Sequence, residues 1–208
     1  MTTLASRPLA HVDHALGAVT LALLGALLGR AATARWGDAA SAWPWLGWLI
    51  APALLLLVLP RPATARLWPV RALPEAYRTS AAAVLAVGLW LWTLIANVAS
   101  DGAAAPLPHV PFVNPLDIGV GIALAAIASW LKGAERIERW SIAMLVAAAF
   151  VWLNAILVRG FHHYGGVPYH VAMVESDDGI VSATLNAGLR RSPFGAFAGE
   201  IRYLRPVS

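Results

Sequence analysis

The stretch "WSIAMLVAAAFVWLNAILVRGFHHYGG", residues 140–166, decides the fold. From Trp140 to Val158 it carries no charge. A helix needs about 20 apolar residues to cross the hydrocarbon layer of a membrane, and this run is that long. Apolar and polar residues do not alternate along it, which argues against a β-barrel strand. Backbone groups in lipid must pair within their own segment, so the run is read as a membrane helix. Immediately afterwards come Arg159, His162 and His163, then Gly165, Gly166 and Pro168, a turn signal that stops the helix. Asn154 lies one turn inside the same end. An apolar rod therefore finishes in a polar cluster.

The rest of the chain has the same character. Of 208 residues, 59% are hydrophobic and 12% charged, against about 45–50% and about 25% in soluble domains. That much apolar surface calls for lipid as solvent. Four further segments qualify: "ALGAVTLALLGALLGRAATA" at 15–34, "AASAWPWLGWLIAPALLLLVLP" at 39–60, "SAAAVLAVGLWLWTLIANVAS" at 80–100, and 114–131, charge-free from Ile118. With 140–158 they predict an all-α, polytopic transmembrane bundle of about five helices over residues 1–174. The first segment, with Arg7 before it and "ATA" at 32–34, also fits a secretory signal, although Asp13 and two histidines make a poor leading region. Gly25 and Gly29 form a GxxxG, a close-packing face. Trp90 and Trp92 fall mid-span and are expected between helices. There is no cysteine, hence no disulfide and no thiolate metal site.

The net charge of +4 reads as juxtamembrane arginine rather than a nucleic-acid surface, so membrane lipids and other envelope membrane proteins are the expected partners. Arg7, then Arg61, Arg66, Arg71 and Arg78, then Lys132, Arg136 and Arg139 fall on one set of ends. Arg30, Arg35 and Arg159 fall on the other. The positive-inside rule makes the richer side cytoplasmic, which predicts a cytoplasmic N-terminus in a bacterial inner membrane. Trp130 and Trp140 at one interface, and Trp36, Trp43 and Trp45 at the other, suit aromatic belts.

This alternation gathers Asn97, Asp101, His109, Asn114, Asp117, Asn154, Arg159, His162 and His163 at one outer rim. Asn114, Asp117, Asn154, Arg159, His162 and His163 form the candidate polar site. Each has a plain structural role available. Arg159 can complement a helix C-terminus and reach lipid phosphates. Asn154 can bond a neighbouring helix. Asp117, after Pro115, suits a first helical turn. Adjacent histidines on a helix point about 100° apart, and zinc sites use wider spacing, so no metal is expected. Together the residues can bind an anionic head group or a sugar, with arginine on the anion and histidine exchanging protons.

"PFVNPLDIG" at 111–119 and "WLNAILVRGFHHYGGVPY" at 152–169, separated by one helix and a basic turn, resemble a large group of bacterial multi-pass membrane proteins catalogued as a domain of unknown function. The resemblance covers about residues 80–170. It implies an integral inner-membrane protein with further helices and brings no established reaction. From 175 onward the sequence departs from that pattern and has no run long enough to span. Residues 175–208 are therefore expected as a non-membrane tail of a truncated member, disordered or frameshifted.

"GVG" at 119–121 lies within a membrane helix with no strand before it, so it is no dinucleotide fingerprint. No cofactor is expected. The functional expectation is an envelope scaffold or assembly component, with a membrane enzyme acting on a lipid-linked or envelope glycan substrate as the alternative. A transporter ranks third, because the ionisable residues sit at rims rather than mid-membrane.

Overall fold

The computed structural model describes residues 6–37, 41–133, 139–166, 170–175, 179–184 and 188–192. Five helices follow one another: α1 Ser6–Thr33, α2 Trp43–Val58, α3 Ala82–Ala99, α4 Pro115–Lys132 and α5 Arg139–Gly165. A π-helical segment, Ala76–Ala81, leads into α3. The chain forms a helical membrane bundle. α1, α4, α5 and α3 with its π-helical lead-in are long and apolar enough to cross a membrane. α2 has 16 residues. At 1.5 Å per residue it reaches about 24 Å, short of the ~30 Å layer. It opens with Pro44 in its first turn, and Pro60 stands just past its end. The five crossings expected from sequence thus comprise four full-length helices and one shorter apolar helix.

Helix ends alternate. At one end of the bundle, His11 and His14 of α1 bond Ser80 (2.8 Å) and Tyr77 (2.7 Å) at the π-helical segment, while Trp130 of α4 donates to the Arg78 carbonyl. At the other end, Trp43 at the start of α2 donates to the Ala105 carbonyl at 3.0 Å, and Ala42 N–H to that of Ala103 at 2.7 Å. The second end therefore holds the starts of α2 and α4, the end of α3 and the 100–114 loop.

α1 and α2 form a tight antiparallel hairpin. A Cβ at Gly29 would run into the Gly47 carbonyl, and one at Gly25 into the Ala51 side chain. The GxxxG of α1 is the face that meets α2. The core is built from small residues such as Ala22, Ala53, Ala82, Ala86, Ala123 and Ala126, interleaved with Leu49, Leu56, Leu85 and Leu89. Small side chains let helix backbones approach where lipid supplies no hydrophobic drive between helices. Large apolar residues point outward instead: Val84, Val87, Leu91, Ile95 and Val98 on α3, and Ile142, Val146, Phe150, Leu153, Leu157 and Phe161 on α5. Meanwhile Thr93, Asn97, Asn114, Asp117 and Arg159 are buried. Apolar outside and polar inside is the arrangement that lipid selects.

Trp90 lies between helices as expected, its indole N–H donating to the Met144 carbonyl of α5 at 3.0 Å. α5 otherwise buries few residues: Ala148, Ile156 and Arg159. Beyond the bundle, within and just before the segment expected as a non-membrane tail, lie three antiparallel strands in the order β1 His170–Glu175, β2 Gly179–Thr184 and β3 Gly188–Ser192. Their register pairs His170 with Thr184 and Ile180 with Ser192.

Candidate functional site

The site is built on the start of α4. Asn114 caps it with extended backbone, and its Oδ1 accepts from Asp117 N–H at 3.0 Å. Pro115 follows in the first turn, where its missing N–H costs nothing. The Asn114 side-chain amide donates in return to Asp117 Oδ2, while its backbone N–H goes to the Val110 carbonyl. Phe112 N–H donates to the same oxygen at 3.2 Å, from a residue held at φ +66°.

The other carboxylate oxygen of Asp117 faces α5. Oδ1 accepts from Arg159 Nη2 at 2.6 Å and from the Trp152 indole at 3.1 Å. Arg159 Nη2 also donates to Asn97 Oδ1 of α3 at 3.1 Å. Both charged side chains are 0% exposed. The Asp117 carboxylate thus accepts from Asn114, Phe112, Trp152 and Arg159, the last an ion pair, and the pair joins three helices. A charge buried this deeply is tolerable only when paired and hydrogen-bonded. Arg159 keeps two nitrogens, Nε and Nη1, with three N–H donors between them, without an acceptor among the described residues. Gly102 lies over its aliphatic stem. At φ +74° only glycine is comfortable there, and a Cβ would stand 2.9 Å from Arg159 Cδ.

A second, more open layer sits above this pair. Asp101 and His162 are 27% and 29% exposed, with Oδ2 and Nε2 4.0 Å apart. His163 donates through Nε2 to the Asp101 carbonyl at 2.9 Å and stacks on His109, ring centroids 3.9 Å apart. Tyr164 donates its hydroxyl to the His109 carbonyl. Burial pushes the His109 pKa below that of an ordinary histidine. The Gly102 carbonyl bonded to its Nδ1 opposes that shift, and the charge of His163 adds to it.

Of the residues predicted from sequence, Asn114, Asp117, Arg159, His162 and His163 come together. Asn154 does not. It is exposed, and its amide donates at 2.8 Å to the Phe150 carbonyl of its own helix. Arg159, expected to reach lipid phosphates, is enclosed and spends its charge on Asp117. Asn97, Asp101 and His109 belong to the cluster, at the rim where the sequence placed them. Trp152 was missed. It precedes Arg159 by seven residues, two helical turns, so helical spacing alone puts both on one face.

A family model described as "Predicted membrane protein (DUF2339)" matches residues 2–187. The match spans the helical bundle and runs past residue 175, beyond the stretch that carried the resemblance in the sequence. No curated protein and no solved structure matches the chain.

Proposed function

Because the chain belongs to the family of proteins described as "Predicted membrane protein (DUF2339)", we propose that it serves as a multi-pass scaffold or assembly component of a bacterial inner membrane. The N-terminus is cytoplasmic in this reading, as arginine asymmetry requires, and the polar cluster faces outward. The observation that supports a scaffold is the enclosure of Arg159 and Asp117. Their charges are turned on each other at 2.6 Å with no exposure. They tie α3, α4 and α5 together instead of meeting a substrate. The exposed apolar faces of α1 and α5 are then the surfaces that meet lipid and neighbouring membrane proteins.

A second reading is an enzyme acting on a lipid-linked or envelope glycan at the same rim. What favours it is the partly exposed layer of Asp101, His162 and His163. Alanine at Arg159, His162 and His163, each in the full chain in its native host, separates the two. For a scaffold, Arg159→Ala lowers the amount of protein, while His162→Ala and His163→Ala leave both amount and envelope integrity unchanged. An envelope defect at normal abundance in either histidine variant would overturn the scaffold in favour of the enzyme.

A further inference from the structure

We propose that Asp101, His162 and His163 form a binding site for one transition-metal dication of the zinc class. Each residue offers one ligand atom, and these atoms lie within 4.8 Å of one another. Ligand bonds of about 2.0–2.1 Å put neighbouring ligands of a tetrahedral zinc ion about 3.3 Å apart. The 4.0 Å between His162 Nε2 and Asp101 Oδ2 therefore needs to close by less than an ångström, and a separation at the 4.8 Å limit of the cluster by about 1.5 Å.

Adjacent histidines alone make a poor pair, since a regular helix turns their rings apart. Here the third ligand comes from a different element and approaches both of them. Asp101 stands in the loop after α3, with its carboxylate towards His162 and its carbonyl towards His163. The shell behind the ligands is already ordered. Ala103 N–H donates to Asp101 Oδ1 at 2.9 Å, which leaves Oδ2 turned to His162. Donation from His163 Nε2 to a carbonyl fixes the tautomer and leaves the other ring nitrogen basic. Stacking on His109 holds the His163 ring in place. Two imidazoles and a carboxylate suit zinc, and three protein ligands leave one position open to water or another ligand.

Charge permits the ion as well. Arg159, whose stem lies against Gly102 beside Asp101, is matched by Asp117 at 2.6 Å, so the carboxylate of Asp101 remains to offset the metal. All three groups are partly exposed, and an ion can reach them. The site stands whether the protein is a scaffold or an enzyme, because it concerns only what the rim binds.

The test is calorimetric titration of Zn²⁺ into the detergent-solubilised full chain, freed of any polyhistidine tag, with Co²⁺ absorption as a second readout. The expected result is one ion per chain, with affinity falling at least about 10–100-fold in His162→Ala and in Asp101→Asn. His11→Ala, whose ring bonds Ser80 at the opposite end, leaves it unchanged. Variants are compared at equal thermal stability without metal; if Asp101→Asn does not fold, His162→Gln takes its place. No stoichiometric binding, or equal binding by the His162 and His11 variants, overturns the site.

Discussion

Arg159 and Asp117 are a buried pair whose halves are unequal in support. Asp117 keeps donors from Asn114, Phe112 and Trp152 when the arginine goes, yet its charge is then uncompensated. Arg159→Ala is expected to cost about 3–5 kcal/mol, the usual consequence of orphaning one buried ion. Combining Arg159→Met with Asp117→Leu in one chain removes both charges and restores part of that loss. Thermal unfolding in detergent followed by tryptophan fluorescence reads both, and a double-variant cycle gives the coupling. His109 carries a pH prediction. Its folded pKa is depressed, while the unfolded chain takes up a proton near pH 6.5. Its contribution is therefore complete above about pH 6.5 and is lost as the pH falls towards the folded value. His109→Gln flattens the acid side of the stability profile. Individual residues were only partly legible beforehand. Sequence placed Asp101, His109 and Asp117 at one rim because helix ends alternate. It could not choose between Asn154 and Asn97 as the inward amide, since that depends on helix rotation.

At the scale of elements, the α1–α2 hairpin depends on absent side chains. Gly47→Ala puts a methyl against the Gly29 carbonyl and Thr33, which is expected to cost about 1–3 kcal/mol as overpacking does. Gly88 has open space where a Cβ would go, so Gly88→Ala gains up to ~1 kcal/mol in helix propensity. Melting curves of the two variants against the parent measure the contrast. The GxxxG of α1 was readable from spacing, but its partner Gly47 was not, because nothing local to a sequence says which helices are neighbours. Helix existence was plain from charge-free runs of spanning length. The short reach of α2 was less plain, since apolar residues from 39 onward extend the run beyond the helix proper.

For the molecule as a whole, the outward apolar faces and inward polar groups leave bilayer sidedness as the property to measure. Reporter fusions after Thr79, Ala105 and Val174 are expected to read inside, outside and outside. Single cysteines offer an independent check because the chain has none of its own: Tyr164→Cys is labelled from the periplasm and Arg71→Cys is not. The reverse pattern would move the candidate rim to the cytoplasm. The bundle was legible from hydropathy, since lipid imposes one solution on every spanning segment. The strands after it were not, being short and set among Gly, Ser and Asp with no long period to follow.

Asp117 and Arg159 stand 42 positions apart in the chain, and that interval imposes an order on biosynthesis. Asp117 leaves the ribosome first and finds donors within its own turn. Arg159 follows and finds its carboxylate on α4 and its amide acceptor on α3. The fifth helix completes its buried pairing only with α3 and α4 in place, and a chain in which they are misplaced leaves the guanidinium without its carboxylate inside the membrane.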